Sequence, residues 1–233
     1  MVKGKLSGRD IKKLAHDLLN RKDQEKALME LCRLPPGQLI NALFSFLYNT
    51  DEYVRWHAIT AMGSIVQKIA GKDMERARVI MRRLMWNLND ESGGIGWGSP
   101  EAMGEILACH EGLANEYVHI LLSYAREDGN YLEHPILQRG LLWGIGRLSE
   151  VRPHLVRDAG FSSYLIPFLE SEDGPVRGLA AWIMGLLNTE EARPYLERLR
   201  GDDVEVLMYI GSEIVNRRVT ELAKEALAKI HSQ

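Results

Sequence analysis

Four segments of the chain align without a gap. They are DEYVRWHAITAMGSI from Asp51, SGGIGWGSPEAMGEI from Ser92, HPILQRGLLWGIGRL from His134 and DGPVRGLAAWIMGLL from Asp173, at steps of 41, 42 and 39 residues. Gly63, Gly104, Gly146 and Gly185 share one column, and Val54, Ile95, Leu137 and Val176 another. A weaker copy, NRRVTELAKEALAKI from Asn216, puts Val219 and Ala223 in step and Ala228 in the glycine column. A repeat of roughly 40 residues constrains the fold strongly, because one such unit cannot bury its apolar face alone and must stack on its neighbours.

Between the copies, PPGQLINALFSFLY, KDMERARVIMRRLMWNL, NEYVHILLSYARE and GFSSYLIPFLES carry apolar residues at helical spacing. Each unit therefore reads as helix, turn, helix. Asp51 and Asp173 stand where an N-cap is needed, and Pro35 and Pro36 suit a helix entry. The expected architecture is all-α: a right-handed solenoid of about five helical hairpins forming a single domain over 1–233. Within it, 1–34 is an N-terminal helical cap, 35–200 holds four repeats and 201–233 closes the C-terminal end. VEVLMYIGSEIVNRRV, 204–219, mixes β-branched residues with a Gly-Ser turn, which predicts a short β-hairpin before a terminal helix starting near Thr220.

DEYVRWHAITAMGSI and DGPVRGLAAWIMGLL resemble the second helix of HEAT repeats: an acidic residue, Val-Arg, a small residue, then a Met-Gly pair. The units look closest to the short bacterial HEAT-like repeats first described in phycobilin lyases, over roughly residues 35–231. The second copy departs from that pattern with GGIGWGS, and the third has Gln138 in place of the arginine. The resemblance implies a solenoid whose second helices line a concave surface. It does not imply one activity, because such folds serve binding, scaffolding and some enzymes.

Projected at 100° per residue, Val54, Ala58, Ala61, Met62 and Ile65 form the core face of the first copy. Trp56, Thr60, Gly63 and Gln67 lie opposite. The Trp56 column continues as Trp97, Arg139 and Gly178. The Thr60 column continues as Glu101, Trp143 and Trp182, and the Ser64 column as Glu105, Arg147 and Leu186. Four of the five tryptophans thus point away from the predicted core, and on the HEAT resemblance this stripe is the groove, floored by the glycine column. Tryptophan is enriched at binding hot spots. The Gly-rich loop at 93–98, with Gly94 and Gly96, opens onto it. Ser99, Pro100 and Glu101 read as N-cap, N1 and N2 of a helix that starts a turn late. Glu101 and Glu105 place negative charge beside that loop, which weighs against a bare phosphate.

Composition narrows the function classes. A formal net charge of −3 disfavours nucleic acid as a partner. The N-terminal stretch MVKGKLSGRDIKKLAHDLL has no apolar run for a secretory signal or membrane span. Cys32 and Cys109 make no disulfide framework, so a cytoplasmic location is expected. Cys109, His110, Glu111 and His119 cluster in sequence, followed by Glu133 and His134, but the spacing matches no closed zinc site. Deoxyhypusine hydroxylases are HEAT proteins with repeated His-Glu iron ligands. Only His110-Glu111 matches such a pair, in the wrong place on its repeat, so neither metal nor cofactor is expected.

The leading expectation is a non-enzymatic protein-binding or scaffold module. Its groove holds a protein or peptide segment through Trp97, Trp143 and Trp182 as apolar anchors and Glu101, Glu105, Arg139 and Arg147 as polar selectors, with Trp56, Glu133 and His134 secondary. The alternative is an enzyme or small-molecule binder using the same groove, with Glu101 or Glu105 as acid/base. Alkylpurine DNA glycosylases are HEAT-like solenoids with tryptophans and a carboxylate in a cleft, which Glu101, Trp97 and Trp143 resemble. A tetrapyrrole ligand would suit the tryptophans with Arg139 and Arg147.

Overall fold

A computed structural model describes residues 6–89 and 96–230 of the chain. They form a helical-repeat solenoid with a small two-stranded sheet near the C-terminus. The chain divides into two compact units, Met1–Ala102 and Met103–Gln233.

The first unit holds α1 (Gly8–Leu19), α2 (Gln24–Leu31), α3 (Pro36–Phe46), α4 (Glu52–Ala70) and α5 (Met74–Asn89); α6 (Ser99–Cys109) contains the boundary. Each helix start has a local cause. Ser7 and Asp10 form a reciprocal capping box on α1, and Pro36 occupies the first turn of α3. The Asp51 carboxylate accepts the Tyr53 and Val54 N–H groups at the head of α4. The core of this unit is Ile11, Leu18, Leu39, Leu43, Val54, Ala58, Met62, Ile65, Met81 and Leu84. The predicted core face of α4 is therefore buried as expected.

The second unit continues with α7 (Glu111–Ser123), α8 (Pro135–Val151), α9 (Pro153–Asp158), α10 (Ser162–Leu165), α11 (Gly174–Leu187), α12 (Arg193–Arg198) and α13 (Val219–Ile230). Asp173 caps α11 through the Val176 N–H, as anticipated. The segment GFSSYLIPFLES is not one helix: α10 ends after one turn and Ile166–Glu170 is a 3₁₀ turn. Pro167 accounts for this, since it cannot donate to a continuing α-helical ladder.

Strands β1 (Glu205–Ile210) and β2 (Glu213–Arg218) pair antiparallel, from Glu205 opposite Arg218 to Ile210 opposite Glu213. Gly211 and Ser212 both have positive φ, 59° and 71°, the requirement of a two-residue hairpin turn that follows strand twist. Val206 and Met208 face inward and Leu207 outward. The inward side packs on α11, where Val206 meets the face of Gly178. Helix α11 is thus covered by α8, α13 and β1. Its apolar residues run around the whole circumference, the pattern of a fully enclosed helix.

Candidate functional site

Enclosure of the second helices alters the reading of the tryptophan stripe. Trp143 is 4% exposed and its indole N–H donates to the Tyr209 carbonyl at 3.0 Å, so strand β1 covers it. Trp56 is buried too, with the Arg55 guanidinium 5.2 Å from its ring centre. Trp182 is half-buried and its ring lies against Gly146. Of the four, Trp97 alone is exposed, at 39%. An opposite face computed from one helix ignores the helices and strand that later stack on it.

The glycine column has the same explanation. A side chain on Gly104 would collide with the backbone of Gly144, and one on Gly185 with Ala226. These glycines are where successive helices of the second unit touch, not a groove floor. The stripe's carboxylates are also enclosed. Glu105 is buried, accepting from Arg147 Nε at 2.7 Å and from the Cys109 thiol at 3.4 Å. Burial, then the Glu105 charge, pushes that thiol up to about 12, leaving it a poor nucleophile at neutral pH. Glu101 is 5% exposed, with Oε1 3.7 Å from Arg55 Nη1 and Oε2 buried without a hydrogen-bond partner among the described residues. Burial raises its carboxyl above the usual range against the pull of Arg55.

Much of the Gly-rich loop, including Gly94, lies outside the described residues. Gly96 accepts the Ser99 N–H through its carbonyl. Gly98 has φ +74°, and a Cβ there would press on the Leu47 carbonyl and side chain. Helix α6 begins at Ser99 itself, and the Gly98 carbonyl accepts the Ala102 N–H, so the cap lies one residue earlier than expected. A left-handed turn in close contact with Leu47 is what requires glycine at 98.

Two of the three histidines of the candidate metal cluster serve as helix caps. His110 Nδ1 accepts the Leu113 N–H at the head of α7, and His134 Nδ1 accepts the Ile136 N–H at the head of α8. Among the described residues, no group of three His, Cys, Asp or Glu side chains is placed to hold a metal ion.

The second unit instead presents a cleft of about 620 Å³, lined by Ala125, Glu127, Asp128, Tyr131, Pro135, Gln138, Ser163, Tyr164, Pro167, Phe168, Ser171, Glu172 and Asp173. Its walls are fixed from below. Gln138 is buried and donates to the Leu132 carbonyl at 2.9 Å and to the Tyr131 hydroxyl at 3.1 Å. Tyr131 then stands 6.2 Å from Phe168, ring centre to ring centre. Arg126 lies 4.7 Å over the Tyr164 ring while its fork holds Asp128 at 2.9 and 2.7 Å. Asp173 both caps α11 and receives the Arg139 fork. Burial raises the Asp173 carboxyl, but the Arg139 hydrogen bonds, the Val176 N–H and the charges of Arg139 and Arg177 together hold it below the ordinary range.

Arg126 and Arg139 are thus committed to Asp128 and Asp173. Among the described residues, the exposed carboxylates of Glu127 and Glu172 pair with no cation. The cleft offers aromatic rings and, among the described residues, two unpaired carboxylates in its lining. Glu133 and His134 are exposed just before α8, beside this region in sequence, and Arg139 reaches it through Asp173. The cleft residues were missed in sequence, although a signal was present. Glu-Asp-Gly occurs at 127–129 and again at 172–174, each time with its two acidic residues lining the same cleft.

The fold and its stacked hairpins define a helical-repeat protein, and known structures agree. An engineered protein of the Northeast Structural Genomics Consortium, target OR329, is similar over 96% of this chain and 97% of its own, with TM-score 0.54 and 18% identity. A designed armadillo repeat protein, solved in complex with the peptide (KR)4, is similar over 95% of this chain and 100% of its own, with TM-score 0.53 and 17% identity. At such identities the likeness concerns the fold. No protein-family model matches the chain. It is 31% identical over 204 residues to an uncharacterised protein of Archaeoglobus fulgidus, spanning 84% of this chain and 98% of that one, and it belongs to the same family. Among the described residues, no helix is long and apolar enough to cross a membrane.

Proposed function

We propose that the chain is a non-enzymatic binding module for a protein segment, and that its second unit receives a basic side chain of that segment in the acid-aromatic cleft. The observation that carries this reading is the pair Glu127 and Glu172, uncompensated beside Tyr131, Tyr164 and Phe168. A lysine or arginine entering there gains two carboxylates and an aromatic face at once. The designed armadillo protein of the same fold holds the peptide (KR)4, which supports the chemistry by analogy. Arg139, of the residues first singled out, is exposed and tied to the edge of this cleft through Asp173. The test is fluorescence anisotropy with a labelled Lys-Arg repeat peptide. Binding should weaken at least about tenfold in the Glu127→Gln/Glu172→Gln double variant, in line with hot-spot losses. Equal affinity in the double variant would reject the cleft.

A second reading rests on Glu101. A buried carboxyl with a raised pKa and an unpartnered oxygen is a common property of acid catalysts. It keeps open the alkylpurine-glycosylase-like or tetrapyrrole-binding alternative, to which the finer resemblance to phycobilin-lyase repeats also belongs. Release of free base from alkylated DNA, or an absorbance shift of a linear tetrapyrrole, abolished by Glu101→Gln in a folded protein, would favour it. Neither response in the wild type would remove it.

A further inference from the structure

The fifth tryptophan, Trp86, lies outside the repeat columns and is 79% exposed, an unusual position for the most costly side chain to leave in water. It sits on α5, whose inner face of Ala77, Ile80, Met81 and Leu84 is buried. On the outer face, Arg76, Val79, Arg83 and Trp86 follow at helical spacing. Val79 is 52% exposed. Beside them a shallow groove of about 200 Å³ runs between α3 and α5, floored by Ile40, Phe44, Ile69 and Ile80.

Among the described residues, charge on this face is one-sided. Glu75 serves Arg78 at 3.5 Å and Arg82 at 2.5 Å. The Asp73 carboxylate faces the head of the helix, accepting the Arg76 N–H. Arg83 lies 3.8 Å over the Phe44 ring and donates to Asn41 Oδ1 at 2.7 Å, and among the described residues no carboxylate pairs with its fork. Arg76 has no carboxylate partner among the described residues, and its Nη2 rests where a side chain on Gly37 would stand, 3.2 Å away. Among the described residues, no acidic side chain lines the groove.

We infer that this face of the first unit docks an acidic segment of a partner protein, with an apolar side chain of that segment in the groove against Val79, its carboxylates on Arg76 and Arg83, and Trp86 meeting the same segment one turn beyond Arg83. The apolar floor selects against a nucleic acid, which would use the guanidinium groups and leave Ile40, Ile69 and Val79 unsatisfied. A guanidinium pre-positioned on Phe44 loses little freedom when it takes a carboxylate. This surface shares no residue with the cleft of the second unit and carries the opposite charge.

The test uses the full chain and a fluorescein-labelled peptide with a Leu-Phe pair flanked by two aspartates on each side. Expected are saturable binding, at least about tenfold loss with Trp86→Ala and with Arg83→Gln, and weakening as salt rises. Arg76→Gln provides a third variant, and matching circular dichroism spectra show that all three are folded. Glu127→Gln/Glu172→Gln should leave this binding unchanged. Unaltered affinity in the three variants, or equal binding of the peptide with asparagines for aspartates, would overturn the inference. So would tighter binding of a DNA duplex, or of phosphatidylglycerol/phosphatidylcholine vesicles, that the same variants abolish.

Discussion

Truncating Trp143 separates a groove anchor from a core residue. Its side chain is almost wholly enclosed, and its N–H bonds to the Tyr209 carbonyl in β1. Trp143→Ala removes the buried indole and the bond, and large-to-small changes of this kind cost about 3–5 kcal/mol. Trp143→Phe keeps most of the apolar volume and loses the bond, about 1 kcal/mol, with a small void that brings the total to roughly 1–3 kcal/mol. For a chain of this size each kcal/mol lowers the melting temperature by about 2–4 °C, so the alanine variant should melt roughly 6–20 °C lower. Urea unfolding monitored by circular dichroism gives the free energies. Hydrogen exchange should show the amides of Glu205–Ile210 losing protection before those of α4. If both variants stay within about 1 kcal/mol of the wild type and the β1 amides keep their protection, Trp143 is not holding the hairpin and the enclosed-helix account fails.

Three further outcomes follow from the same contacts. Gly104→Val should destabilise the second unit by at least about 2 kcal/mol, since the Gly144 backbone has no room to retreat; near-neutral unfolding energy would refute the helix contact. In a Cys32→Ser background, the Cys109 thiol, pushed up to about 12, should react with iodoacetamide at pH 8 far more slowly in the native than in the urea-unfolded protein, and equal rates would count against its burial. Because the Asp173 carboxyl sits below 3.8 when folded, its stabilising contribution is present above that value and disappears as pH falls through the lower folded value. Arg139→Gln should therefore reduce the melting temperature at pH 7 more than at pH 2.5, and an equal reduction at both would show that the ion pair contributes nothing.

Repetition and local signals made the architecture legible in the sequence: the spacing of the four copies, the caps at Asp51 and Asp173, the prolines before α3, and the Gly-Ser turn of the hairpin. Each depends on interactions within a few residues, so periodicity and cap chemistry specify it without knowledge of the rest. The interruption at Pro167 was equally local and could have been read. What a helix turns outward is different. Trp56, Trp143 and Glu105 lie on the far side of their own helices, yet burial depends on which helix or strand arrives there, and one helical wheel does not contain that information. Tertiary stacking converted the glycine column into a contact and enclosed the predicted groove. It also brought Glu127, Tyr131, Phe168 and Glu172, from separate connections, around one cleft and left Trp86 in solvent. The sequence by itself determined the repeats and their ends, because those forces are short-range; which surfaces remain open for a partner was decided only when the repeats packed, because exposure belongs to the assembly and not to any residue.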